Sequence, residues 1–201
     1  MRVIAGSAKG RILRSPRTAD TRPITDRAKE SLFAILGPRI PGRRFLDLFA
    51  GTGSVGIEAL SRGCEQATFV ERSAQALAVI RHNLVLTGLE ARAEVVGRDV
   101  FAYLRADASP FDLIFIAPPQ WRGLWARAVQ LLDGRPGWLA AGTLVVAQHD
   151  PAESAALELR HLRPSGERTY GRVRFSFFES SRNSVDPAGS RMAGSARAQP
   201  R

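Results

Sequence analysis

No stretch limits what this chain can fold into as tightly as Asp47-Leu48-Phe49-Ala50-Gly51-Thr52-Gly53. It follows two arginines and a short apolar run, and it opens into a helical pattern. An acid inside a strand, then a Gly-x-Gly turn at a helix start, suits a nucleoside-bearing cofactor held at the carboxyl end of a parallel sheet. The glycines let the backbone approach a ligand where a Cβ would clash.

Periodicity on either side extends this into an alternating α/β body. Phe45–Ala50 reads as a buried strand, 54–62 as a helix ended by Gly63, and Gln66–Glu71 as the second strand. Ser73 caps a helix with Ala74, Leu77, Ala78, Leu84 and Val85 on one face and Gly88 at its end. Ala93–Val96 and Phe111–Ala117 are the third and fourth strands, Trp121–Leu132 a helix, and Thr143–Gln148 the fifth strand. Such alternation predicts a mostly parallel sheet with helices on both faces.

The flanks differ. Residues 2–5 and 11–14 form a candidate hairpin around Ser7-Ala8-Lys9-Gly10. Thr25 caps a helix to about Leu36 that turns Ala28, Leu32, Ile35 and Leu36 to one side and stops at Gly37-Pro38. Leu157–Leu162 and Val173–Glu179 are extended runs joined by a Gly-containing turn, a hairpin closing one sheet edge. From about Ser180 onward Ser, Gly, Ala, Pro and Arg dominate, which predicts a disordered tail. The expected organisation is a basic hairpin and helix over 1–40, a cofactor-binding domain over 41–180 and a basic tail over 181–201.

Charge follows the same division. The net +10 splits into +8 over residues 1–44, −1 over 45–180 and +3 over 181–201. A near-neutral body with basic ends points to a polyanion, and the arm residues are Arg2, Lys9, Arg11, Arg14, Arg17, Arg22, Arg27 and Lys29. The single Cys64 excludes an internal disulfide framework. No apolar run approaches a membrane span, and the N-terminus lacks a signal-peptide pattern, so a cytoplasmic protein is expected. No cluster has metal-ligand spacing. His82, His149 and His161 share no motif and read as surface or structural groups, as does Asp112, which opens the fourth strand.

Two cofactors compete for the glycine turn. Gly51-x-Gly53-x-x-Gly56, with Glu71 twenty residues past Gly51, satisfies the dinucleotide pattern. Three features favour S-adenosylmethionine over a nicotinamide nucleotide. Asp47 would repel a pyrophosphate but suits a cationic amino group. Asp99 ends the third strand, where a carboxylate can accept from an adenine amino group. Pro118-Pro119 ends the fourth strand as a rigid ledge at the same edge. Each acid also has a plainer role: Asp47 as a loop cap, Asp99 as the cap of a short helix at 100–106, Glu71 as a surface group.

With these residues in place, the chain resembles the bacterial small-subunit ribosomal RNA guanine-N2 methyltransferases of the RsmD type. The resemblance runs from residue 1 to about 179. It is carried by Arg2–Gly6 with Gly10-Arg11, by Thr21-Arg22-Pro23-x-Thr25-Asp26-Arg27, and by Phe45 through Gly63. Phe111-Asp112-Leu113-Ile114-Phe115 and Tyr170-Gly171 continue it. It implies the seven-stranded class I methyltransferase fold, mostly parallel with the last strand antiparallel. It also implies S-adenosylmethionine as donor and a guanine of 16S ribosomal RNA, naked or in the small subunit, as acceptor; a monomer is expected. Asp47, Gly51 and Gly53 then hold the methionine end, Glu71 the ribose and Asp99 the adenine, with Phe49, Ala50, Thr52, Arg72 and Val100 as further cofactor-binding residues. Arg22 and Thr25 belong to the segment that closes over the cofactor.

One motif departs from that family. The usual sequence after the fourth strand is Asp or Asn, two prolines, then Tyr or Phe; here it is Ala117-Pro118-Pro119-Gln120. The acceptor that orients a guanine amine is missing, and so is the aromatic that stacks on the base. Trp121 follows at once and is the candidate platform, with Trp125 a turn later. Asn83 matches a family position and serves equally as a helix contact. Two other activities fit less well: a ribosome-assembly protein that keeps the cofactor but has lost catalysis, and a DNA amino-methyltransferase, for which the chain has little room for a sequence-reading domain.

Overall fold

Side chains of β1 (Arg44–Leu48) alternate between two destinations. Phe45 joins one apolar cluster, Leu46 and Leu48 the other on the opposite face, as the two-residue period of a strand requires. Both faces are apolar because both are covered by helices. The computed structural model describes residues 1–15 and 24–181. Arg17, Arg22 and the tail beyond Ser181 lie outside the described residues.

The elements run α1 (Asp26–Leu36), β1, α2 (Ser54–Ser61), β2 (Gln66–Glu71), α3 (Ala74–Thr87), β3 (Ala93–Gly97), α4 (Val100–Leu104), β4 (Phe111–Ile116), α5 (Leu124–Asp133), β5 (Leu139–His149), β6 (Leu162–Tyr170) and β7 (Val173–Ser180). They build one seven-stranded sheet in the order β3-β2-β1-β4-β5-β7-β6. β1 to β5 pair in parallel, and β7 runs antiparallel to both β5 and β6. The expected mostly parallel sheet with its last strand antiparallel is therefore present. Leu32, Phe33 and Leu36 of α1, Ile57 and Leu60 of α2, and Ile80 and Leu84 of α3 cover one face. Leu104 of α4 and Trp125, Val129 and Leu132 of α5 cover the other. Burying each such side chain contributes about 1.5–3 kcal/mol. The strand order reverses between β1 and β4, and the carboxyl ends of the strands at such a switch point are where open α/β sheets take their ligands.

The N-terminal arm is reduced to one antiparallel bridge, Arg2 to Ile12. Its attachment is stronger than its own pairing. Glu58 of α2, fully buried, accepts from the backbone N–H of Ile4 at 2.8 Å and of Ala5 at 3.0 Å. It is paired with Lys29 at 3.3 Å and Arg62 at 2.8 Å, and Lys29 also donates to the carbonyl of Arg2 at 2.6 Å. At Gly6 a Cβ would fall 1.8 Å from the Ser61 carbonyl oxygen, so only glycine lets the arm lie on α2.

Several boundaries differ from expectation for local reasons. β1 stops at Leu48 because Phe49 turns to a positive φ of 62°. α5 starts at Leu124, since Gly123 caps it in a left-handed conformation and Trp121, also left-handed, precedes it. The penultimate strand is the polar Leu162–Tyr170, not Leu157–Leu162. As an edge strand it needs little apolar surface, and its bulge falls between Pro164 and Gly166. β5 begins early, at Leu139, through a register shift opposite Phe111 and Leu113. On α1, Phe33 is buried in place of the half-exposed Ile35, and on α3 the buried set is Ala76, Leu77, Ile80, Asn83 and Leu84, leaving Ala74, Ala78 and Val85 outside. Both shifts turn the apolar stripe by about one position.

Candidate functional site

The loop after β1 is built by backbone strain and one acid. Phe49, Gly51 and Gly53 all have positive φ. Glu71, at the end of β2, accepts from the N–H of Gly51 at 3.0 Å through one oxygen, and from Arg72 at 2.8 Å and Ser73 at 2.9 Å through the other. The oxygen that takes Gly51 keeps a second lone-pair site, so Glu71 can also take a hydroxyl donor. A Cβ on Gly51 would meet nothing closer than the Phe49 carbonyl at 3.9 Å, so that side of the loop is open. A Cβ on Gly56 would strike the Phe69 ring at 2.3 Å. The third glycine thus serves helix-to-strand packing.

Asp47 lies in the same layer as Phe45. Its register partners on the adjoining strands are Phe69 and Phe115, and it is 2% exposed. One oxygen accepts from the Gly56 N–H at 3.0 Å. Burial pushes its pKa up to about 8, the Gly56 bond works against that, and the nearby Glu71 charge adds to it. A cation placed beside it would favour the ionised form and bring that pKa back down. Asp99 caps α4, one oxygen accepting from Phe101 at 2.9 Å and Ala102 at 3.1 Å. Its plainer role is thus present, and its other oxygen is not used by the cap. Val100 is buried beneath it, Arg72 is exposed, and Phe49 meets Phe101 edge-on at 6.0 Å.

Ala50 and Thr52 are buried within the loop. The Thr52 carbonyl accepts from the carboxamide of Asn83 at 3.0 Å, and that same buried side chain pairs with both the N–H and the carbonyl of Arg14. Asn83 therefore ties the loop to the basic arm. Thr25 caps α1, its hydroxyl accepting from Ala28 at 3.2 Å.

At the end of β4, Ala117 is half-buried and donates its N–H to the Leu48 carbonyl. Pro118 is buried, while Pro119 and Gln120 are half-buried. Trp121 is 60% exposed with φ of 65°, and its N–H donates to Glu153. A bulky residue held left-handed is a strained conformation of the kind that clusters at working sites. Trp125 by contrast is buried, stacked on His149 at 4.2 Å.

The structure brings the loops after β1, β2, β3 and β4 to one sheet edge. Of the basic residues, Arg2, Lys9, Arg11, Arg14 and Arg27 are exposed. Lys29 is not: it is buried on Glu58, so it cannot meet a polyanion. Sequence reading missed Glu58 and left Asn83 undecided. The signal for both was a polar residue on an otherwise apolar helix face. Among the described residues no group of three or more His, Cys, Asp or Glu stands close enough to hold a metal ion, and no helix is long and apolar enough to cross a membrane.

A family model described as "Conserved hypothetical protein 95" matches residues 1–179. The Bacillus subtilis (strain 168) protein YlbH is 39% identical over 174 residues, 85% of this chain and 94% of that protein. The "Ribosomal RNA small subunit methyltransferase D" of Escherichia coli (strain K12) is 34% identical over 175 residues, 85% of this chain and 87% of that protein. Among solved structures, yhhF of Escherichia coli superposes with a TM-score of 0.79 at 32% identity, covering 90% of this chain and 98% of that one.

Proposed function

We propose that this chain, which belongs to the family described as conserved hypothetical protein 95, transfers a methyl group from S-adenosylmethionine to the exocyclic N2 of a guanine in small-subunit ribosomal RNA. The observation that carries the reading is Trp121, an exposed indole held in a strained backbone next to the diproline ledge, at the sheet edge where Asp47, Glu71 and Asp99 converge. Relatives spanning most of the chain bear the name ribosomal RNA small subunit methyltransferase D.

The residues present fit the cofactor. Asp47 would face its ammonium group, the open side of Gly51 would admit its methionine end, Glu71 would accept from ribose hydroxyls and the free oxygen of Asp99 from the adenine amino group. When bound, S-adenosylmethionine supplies a methyl group activated on a sulfonium. The chain's own work is placement. The Pro118 carbonyl accepts from the guanine amine, Trp121 stacks on the extruded base, and the ledge keeps both in line, so that the gain comes from proximity. Arg2, Lys9, Arg11, Arg14 and Arg27 contact phosphates. The reaction needs no metal and one copy of the chain, and it takes place in the cytoplasm where its substrate is assembled.

The test supplies labelled donor with small subunits, naked ribosomal RNA or duplex DNA, followed by digestion to nucleosides. N2-methylguanosine from the ribosomal substrates is expected. Cofactor binding without transfer would favour the assembly-protein reading that Ala117 raises, and transfer to DNA alone would refute the RNA assignment. Trp121→Gly relieves the backbone strain and removes the platform. Stacking is worth about 1–3 kcal/mol per base, so transfer should fall about 5- to 150-fold while cofactor affinity holds.

A further inference from the structure

The missing acceptor at Ala117 has a neighbour. β4 and β5 pair as Phe115 with Val146 and Ile116 with Ala147; the next step of that register sets Ala117 beside Gln148. Leu113 and Phe115 of β4, and Leu144 and Val146 of β5, belong to one apolar cluster, and Ala117 packs against it. Two-residue alternation puts Gln148 on that same face. Its other strand neighbour is Phe175 of β7, a ring that offers no hydrogen bond in the plane of a carboxamide.

Among the described residues, four buried side-chain polar atoms have no hydrogen-bond partner: Asp26 Oδ1, Arg135 Nε, Gln148 Oε1 and Asp150 Oδ2. Three have local company. Arg2 Nε lies 3.6 Å from the other oxygen of Asp26, Arg135 donates through Nη2 to the Ala106 carbonyl, and Arg172 Nε stands 4.0 Å from Asp150 Oδ2. Gln148 Oε1 has none of these. A buried amide oxygen without a donor costs about 1–3 kcal/mol, and this one sits at the carboxyl end of β5, on the edge that holds the diproline ledge.

We propose that Gln148 supplies the acceptor that position 117 lacks, its amide oxygen taking a hydrogen bond from the substrate amine across Ala117. Parallel strands lie about 4.8 Å apart, a span that a glutamine side chain covers and an asparagine does not. Alanine at 117 fits this arrangement, because a larger residue there would fill the space the carboxamide crosses. The acceptor has moved one strand sideways and gained one methylene. With the Pro118 carbonyl it completes two acceptors for the two amine hydrogens, which favours the lone-pair geometry for attack. The inference rests on the amine-methylation reading above.

Gln148→Leu keeps the side-chain bulk and removes the acceptor. Its kcat is expected to fall about 10²-fold, on the scale of losing one positioned hydrogen bond, with the cofactor Kd and the RNA KM near those of the parent chain and a melting temperature above it, since the unpartnered buried oxygen is gone. Ala117→Asn added to Gln148→Leu should restore most of the lost kcat, which a merely structural role for Gln148 would not allow. Gln148→Glu should give a rate that climbs with pH as its carboxyl ionises, where the parent is flatter. Parent-like kcat in Gln148→Leu, with N2-methylguanosine still formed, overturns this inference alone. A parent chain that forms no N2-methylguanosine overturns the proposed function and this inference with it.

Discussion

Cofactor affinity should rise with pH, by about fiftyfold between about pH 6 and about pH 8, close to one decade per unit well below the pKa and less near it. The cause is Asp47. It is buried between the register positions of Phe69 and Phe115, with its pKa pushed up to about 8. An ammonium group is held by the ionised form only. Ionising Asp47 at pH 6 costs about 2.7 kcal/mol, at about 1.36 kcal/mol per unit below its pKa. Binding therefore releases close to one proton at about pH 6 and about half a proton at about pH 8. Calorimetry with S-adenosylhomocysteine at three pH values, in buffers of different ionisation heat, reads both the affinity and the proton. Asp47→Asn keeps an acceptor for the Gly56 N–H but cannot ionise, so its affinity should be weak and level across the range. The same shift has a sign for folding. Because the folded pKa lies above the unfolded one, the cofactor-free chain holds its full contribution from Asp47 at acid pH and loses it as pH rises toward about 8. Level affinity in the parent, with no proton released, would refute the assignment of Asp47 to the ammonium.

Three further outcomes follow from described contacts. Glu58→Ala leaves Lys29 buried without its carboxylate and frees the N–H groups of Ile4 and Ala5; a loss of about 3–5 kcal/mol in denaturant unfolding is expected, with protease sensitivity appearing first in residues 1–15. Cys64 is buried, donates to the Arg43 and Gln66 carbonyls, and burial pushes its thiol up to about 12; alkylating reagents should label it only on unfolding, as mass spectrometry would report. RNA affinity measured by filter binding should fall steeply with salt, and charge removal at Arg2, Lys9, Arg11 and Arg14 together should lower the slope by about four; a slope unchanged by that variant would remove the arm from the interface.

How much of this was legible in the sequence depended on how local each cause is. β2 was readable to the residue because the features marking its ends are close in sequence. The glycine loop was readable because positive φ leaves a compositional trace. Glu58 and Asn83 were not, since their partners in the arm lie 53 to 69 residues away. β6 was hidden because an edge strand with one open side needs no apolar alternation. Periodicity alone puts Trp121 at a helix start, because nothing in its own identity tells of a left-handed backbone; Gly123 two residues on is the available signal. Ala117 was conspicuous as a gap, but the residue standing beside it became visible only through strand register.

Asn83 joins Thr52 in the glycine loop to Arg14 in the arm through one rigid amide. Free energy shared through such a joint is symmetric: if a bound nucleoside steadies Thr52 and thereby makes the arm a better partner for a polyanion, the polyanion must improve the grip on the nucleoside by the same factor. The order in which the two arrive then changes the route but not the total.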